Sequence, residues 1–164
     1  MIETTLCYIK NNGCYLMMHR VKKEKDLNEG KWIGIGGKLE PGETPLQCVA
    51  RETREETGLA ITDFVMRGII YFHSDIWESE KMYLYSATLS AGGTASTGGA
   101  NPAEELPDCE EGILKWVPFP EIMDLNLWEG DKLFLPKLMA GENDINMTLR
   151  YEGDKLVYWG EDNE

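Results

Sequence analysis

Apolar and polar positions alternate with a period that changes along the chain. Residues 4–9 and 14–20 are short, dense apolar runs, the pattern of two strands. The Asn11-Asn12-Gly13 step between them is a hairpin turn signal. Lys22 to Lys31 is charged and polar and reads as a loop. The stretch Trp32-Ile33-Gly34-Ile35-Gly36-Gly37-Lys38 is apolar but broken by glycines, which suggests close approach of the backbone to a neighbour. Residues 44–57 read as a helix. Thr44 is placed as its N-cap, Pro45 as its first residue, Gln47 as the other half of a capping box, and Gly58 as the residue that ends it. Leu46, Val49, Ala50, Thr53 and Thr57 share a side that can face a core. Residues 61–72 and 81–90 read as strands with imperfect alternation. Residues 91–107, rich in Gly, Ser, Thr, Ala and Pro, have the composition of a flexible loop. A strand at 113–117 is broken by Pro118-Phe119-Pro120. A short helix follows at 121–124 and a longer one at 131–139. Residues 146–152 and 155–159 make a last hairpin, turning at Glu152-Gly153-Asp154. Strands before and after the helices, in irregular order, predict a mixed sheet with helices packed on it.

Composition narrows the setting. A chain of 164 residues with 42% hydrophobic and 27% charged positions suits one soluble domain spanning residues 1–164. No run approaches the roughly 20 apolar residues that cross a bilayer. The segment Met1-Ile2-Glu3-Thr4-Thr5 has no basic stretch leading into an apolar one, so a cytoplasmic location is the expectation. Cys7, Cys14, Cys48 and Cys109 have no metal or redox spacing and read as free, buried thiols. The net charge of −13 excludes ready partnership with polymeric nucleic acid or an anionic membrane. It also opposes a free phosphate ester, unless metal ions or a basic pocket reverse the local field. Nothing in the sequence sets an oligomeric state.

One segment carries chemistry. Glu52, Glu55 and Glu56 stand at i, i+3 and i+4, within one arc of roughly 100° on the predicted helix. Like charges at that spacing destabilise a helix by a few tenths of a kcal/mol per pair. A solvated face screened by Arg51 and Arg54 is one explanation. The other is a hard divalent cation, because Mg²⁺ takes carboxylate and carbonyl oxygens. Gly34, Gly36 and Gly37 let the backbone run close to the helix, where a glycine carbonyl can complete a metal shell and bare N–H groups can meet phosphate. The spacing of Glu43 and Arg51 suits an ion pair that would hold this loop on the helix.

These same residues resemble a known signature. Gly37, Glu43 and the run Arg51-Glu52-Thr53-Arg54-Glu55-Glu56-Thr57-Gly58-Leu59 follow the Nudix box, G-x5-E-x7-R-E-U-x-E-E-x-G-U, where U is aliphatic. Thr53 at the first aliphatic position is the one departure, and its hydroxyl needs a partner. A chance match of the seven fixed residues is on the order of 10⁻⁸ to 10⁻⁹ per starting position. The resemblance implies an α/β/α sandwich with a mixed β-sheet. It also implies hydrolysis of a nucleoside diphosphate linked to another group, with Mg²⁺ or Mn²⁺ as cofactor. Carried onto this chain, it makes Glu52, Glu55, Glu56 and Arg51 the catalytic set, with Glu52 first choice as general base. The three glutamates would ligate metal beside a carbonyl of Gly36 or Gly37. Lys38 would touch a phosphate. A further acid is expected from Glu110-Glu111, with Glu111 favoured.

Within the family, the chain is most similar to the MutT-type branch that clears oxidised purine triphosphates such as 8-oxo-dGTP. The stretches 30–38 and 124–131 carry that likeness. It makes Trp128 a platform for the base and Asp131 a reader of its edge; plain core packing is the other reading of Trp128. Ile33 and Gly130 depart from the branch, standing where relatives carry an Asn and an Asp. Arg20, and with less weight His19, end the second strand where they can point into the same cleft. Another nucleotide substrate, such as ADP-ribose or a dinucleoside polyphosphate, and a non-catalytic nucleotide-binding module are the alternatives.

Overall fold

The structure is a computed structural model that describes residues 1–22, 26–89, 106, 109 and 111–161. The strands are β1 (Ile2–Asn11), β2 (Cys14–His19), β3 (Trp32–Ile33), β4 (Val65–Ser74), β5 (Glu80–Thr88), β6 (Ile113–Pro118), β7 (Met147–Glu152) and β8 (Lys155–Gly160). The helices are α1 (Pro45–Thr57), α2 (Phe119–Ile122) and α3 (Asp131–Met139). Among the described residues the strands form one sheet in the order β3-β2-β1-β5-β4-β7-β8, with β6 on the other edge of β2. The pairs β1–β5 and β4–β7 are parallel and the rest antiparallel, so the sheet is mixed.

Strict alternation sends side chains to two cores. Leu6, Tyr8, Tyr15 and Met17 join one with Ile122 of α2 and Phe134, Leu135 and Leu138 of α3. Cys7, Ile9, Leu16 and Met18 join the other with Val49 of α1. Helices therefore cover both faces, which is the α/β/α arrangement. A strand buried on both faces reads as a continuous apolar run, as residues 4–9 do.

The turn after β1 is a two-residue loop, Asn12-Gly13, with φ of 49° and 73°, as Asn-Gly predicts. After two residue pairs, β1 and β2 part. β2 continues against β3 and β6, and residues 35–38 take the place beside β1, with Cys7 and Ile35 exchanging backbone bonds. This fork delivers the glycine-rich loop to α1.

Differences from the sequence reading are local. Leu46 is 52% exposed and not part of the core side of α1. β4 begins at Val65 and not at 61: Ile61 and Phe64 pack on the core without pairing. α2 starts at Phe119, directly after β6, so the Pro118-Phe119-Pro120 break is itself the start of the helix. Cys7, Cys48 and Cys109 are buried and Cys14 half-buried, all free thiols. Almost all of the 91–107 segment lies outside the described residues, as does Glu110. Among the described residues no helix is long and apolar enough to cross a membrane.

Candidate functional site

Helix α1 starts where its side chains dictate. Thr44 Oγ1 accepts from the Gln47 N–H at 3.1 Å, and the Gln47 side chain accepts from the Thr44 N–H at 2.9 Å. Gly58 closes the helix at φ 70°. The capping box fixes the register that points residues 51 and 52 at the loop and residue 56 toward Glu111.

Arg51 is the hub. Its Nε and Nη2 bond the two oxygens of Glu43 at 2.8 and 2.9 Å, a bidentate pair. Its Nη2 also donates to the Lys38 carbonyl at 3.2 Å, which ties the loop to the helix. Its Nη1 donates to Glu52 at 2.8 Å and to Glu55 at 3.2 Å. This guanidinium holds the Glu43 carboxyl down at about 2. The pairing expected from the spacing of Glu43 and Arg51 is present.

The loop presses on Glu52. A Cβ on Gly37 would lie 2.6 Å from the Glu52 carboxyl, and one on Gly36 would strike the Thr5 carbonyl. Glycine at both positions lets backbone and carboxylate touch. Burial pushes the Glu52 carboxyl up despite Arg51. Glu56 is more deeply buried. Burial, and then the neighbouring Glu111 carboxyl that bonds to it, push Glu56 well above the carboxylate range. Its Oε2 is buried with no hydrogen-bond partner among the described residues.

Arg20 completes this wall. It makes two bonds to Asp26, at 2.7 and 2.9 Å, and one to Glu111 at 3.1 Å. As the sequence reading expects, it lines the cavity, and there its charge is shared between two carboxylates. Glu55 also differs from expectation: its side chain is 59% exposed and bends toward Arg51, outside the cavity. His19 stacks flat on Trp32 at 4.4 Å and does not line the cavity.

A cavity of about 410 Å³ opens over these groups. One wall carries Gly36, Gly37, Lys38, Glu52 and Glu111; another carries Phe72, Trp128, Asp131 and Tyr151. Trp128 meets Tyr151 and Phe72 edge to face at 4.9 and 5.8 Å, so it lines the cavity and packs in the core at once. Its Nε1–H donates to Asn28 Oδ1 at 2.7 Å. Burial pushes the Asp131 carboxyl up to about 7, against the pull of Lys31. A side chain at residue 130 would collide with Leu149 and the Tyr151 hydroxyl, which explains Gly130. Asp26, Asn28, Phe72 and Tyr151 escape a sequence reading. Asn and Asp in a polar loop look like turn formers, and Phe72 and Tyr151 look like ordinary strand core.

Among the described residues no three acidic, His or Cys side chains stand gathered as a ready-made metal cage. The donors nevertheless suit a hard cation. Glu52 and Glu111 share the cavity wall, and Glu56 touches Glu111 with one oxygen unpartnered.

Comparison with known proteins decides the family. The NUDIX domain model matches residues 3–138. The chain belongs to the Nudix family. Over 153 residues it is 28% identical to the Nudix hydrolase YvcI of Bacillus subtilis, covering 91% of this chain and 86% of that one. Over 137 residues it is 29% identical to the oxidized purine nucleoside triphosphate hydrolase of Danio rerio, covering 82% and 79%. The fold is similar to that of the MutT protein from Bacillus halodurans, with TM-score 0.80, 23% identity, and 98% and 97% of the chains covered. This Nudix protein is therefore a hydrolase. Its family acts on small nucleotides and uses divalent cations such as Mg²⁺.

Proposed function

We propose that this Nudix hydrolase is a Mg²⁺-dependent nucleoside triphosphate pyrophosphohydrolase that clears oxidised purine nucleotides such as 8-oxo-dGTP. It releases the monophosphate and pyrophosphate, so the bond cut is the anhydride between the α and β phosphates. The reading treats residues 1–164 as one domain working in the cytoplasm on a free nucleotide. One observation carries it: an acidic, glycine-edged wall and an aromatic wall with a buried carboxyl share a single cavity. A purine triphosphate needs both. The names of the Danio rerio relative and of a Mus musculus relative 29% identical over 119 residues point the same way.

In this reading Glu52, Glu56 and Glu111 hold the cation together with the Gly36 carbonyl. The Gly37 carbonyl already accepts the Thr5 N–H at 2.9 Å. When bound, the cation supplies positive charge against the phosphates and acidifies the attacking water. Arg51 fixes the Glu52 carboxylate through Oε1, which would orient it to hold the proton of the attacking water. Glu55, outside the cavity, steadies Arg51. Lys38 meets a phosphate. Trp128 and Phe72 flank the base, and Asp131 reads its edge.

The test is kcat/KM for 8-oxo-dGTP, dGTP and ADP-ribose with and without Mg²⁺. The expected result is Mg²⁺-dependent turnover with 8-oxo-dGTP ahead. A lead for ADP-ribose would overturn the substrate, and no turnover of any of the three would overturn the triphosphate reading.

A further inference from the structure

Asn28 lies in the polar loop before β3, half-buried, and lines the cavity beside Trp128. The indole Nε1–H is a donor only, so the Asn28 atom 2.7 Å from it is the carbonyl oxygen. That bond removes the ambiguity of amide orientation. The Asn28 NH₂ group must then point away from the indole, and Trp128 is the side-chain partner that the half-buried Asn28 amide has among the described residues. Asp131 lines the same cavity three residues after Trp128, its backbone N–H bonded to the Trp128 carbonyl at 3.0 Å. The Tyr151 hydroxyl already accepts the Gly130 N–H at 2.7 Å. Ile33, also in the lining, offers no polar atom.

We infer that Asn28 is the specificity residue of this cavity, a donor locked by Trp128 that selects a 6-oxopurine, the guanine type of base. This inference rests on the reading of the cavity as a purine nucleotide site. The chemistry is complementary. Guanine presents an acceptor, O6, next to two donors, N1–H and the N2 amine. The Asn28 NH₂ meets O6, and the Asp131 carboxylate accepts from the two donors. Adenine turns an amine toward Asn28, so two donors face each other and neither is satisfied. A site built to bond one edge disfavours the other because its polar groups then give up water without gaining a partner. Trp128 is thus more than a stacking face, since its N–H sets which end of Asn28 the base meets.

The experiment titrates dGMP and dAMP into the wild-type protein, Asn28→Asp, Asn28→Leu and Trp128→Phe by calorimetry. Asn28→Asp keeps the acceptor for the indole and replaces the donor. Trp128→Phe keeps a ring and drops the N–H. The wild type is expected to prefer dGMP. Both Asn28 variants are expected to weaken dGMP roughly tenfold or more; Asn28→Leu is expected to leave dAMP within about twofold, and Asn28→Asp, whose acceptor faces the adenine amine, to strengthen it. Trp128→Phe is expected to narrow the preference. Thermal unfolding of each variant confirms that it is folded, and Asn28→Asp alone suffices if Asn28→Leu is not. Equal loss for both nucleotides, or a wild type without preference, overturns the inference. Binding and hydrolysis separate the two claims. Turnover of 8-oxo-dGTP that ignores Asn28 sinks only this assignment. Selective dGMP binding without turnover of any triphosphate sinks only the pyrophosphohydrolase reading.

Discussion

Glu56 is a buried carboxyl pressed on another carboxyl, an arrangement that costs free energy until a cation or a proton neutralises it. Glu56→Gln keeps the shape and removes the charge. Turnover is expected to fall at least 100-fold, with no loss of thermal midpoint in metal-free buffer. Glu55→Gln is expected to cost less than tenfold, because Glu55 is solvated and bonds only Arg51 among the described residues. Initial rates and melts of the two variants check this contrast. The sequence showed the glutamate arc but not this split. Helical period gives the direction of each Cβ, while the rotamer answers to neighbours such as Arg51, Glu111 and the loop. Asp131 makes a second residue-level prediction. Its folded value, about 7, lies above its ordinary 3.8, with Lys31 opposing the shift and the Tyr8 and Tyr151 hydroxyls close by. The folded state therefore binds this proton more tightly than the unfolded chain. Stability from this group is present at about pH 4, lost as pH rises to about 7, and level above. Asp131→Asn removes that slope, so its stability relative to wild type should rise across this window, by about 4 kcal/mol at most. Denaturant midpoints at pH 4.5, 6 and 8 measure the difference, and a constant difference would place the Asp131 proton elsewhere.

Helix α1 shows which parts of an element are written locally. Its cap, its Pro45 start and its Gly58 stop are short-range chemistry, and all three stand where the sequence puts them. β4 is less legible. Ile61 and Phe64 are apolar and pack inward, yet pairing begins only at Val65, since burial and strand pairing leave the same apolar trace in sequence. The β1–β2 fork is not legible at all, because residues 35–38 join β1 from a distant segment that local alternation cannot see. Thr53 marks where the box departs from an aliphatic residue. Its side chain is buried, and Oγ1 has no partner among the described residues. An unsatisfied buried hydroxyl costs about 1–3 kcal/mol. Thr53→Val is near-isosteric and β-branched, so it should stabilise the protein by about 1 kcal/mol. That is roughly 2–4 °C in Tm for a chain of this size. Scanning calorimetry reads this directly, and a lower Tm would mean that the hydroxyl is satisfied in solution.

On the scale of the whole molecule, the charge and the fold pull against each other. The chain carries −13, and folding sets Glu52 and Glu111 in one cavity wall with Glu56 bonded to Glu111 behind it, two of the three with carboxyls pushed upward by burial. No such concentration exists in the unfolded chain, so a divalent cation should bind the folded state far more tightly than the unfolded one. Linkage then converts occupancy into stability: at 100 times Kd the gain is about 2.7 kcal/mol, roughly 5–10 °C in Tm. Ordinary ionic screening also stabilises an acidic protein, so the comparison must hold ionic strength fixed by exchanging Mg²⁺ or Mn²⁺ for Na⁺. Tm is expected to rise with the divalent ion, return on chelation, and rise much less in Glu56→Gln. A rise of the same size in wild type and Glu56→Gln would assign the effect to diffuse charge across the surface. The site would then lose its strongest physical reason for gathering those carboxylates.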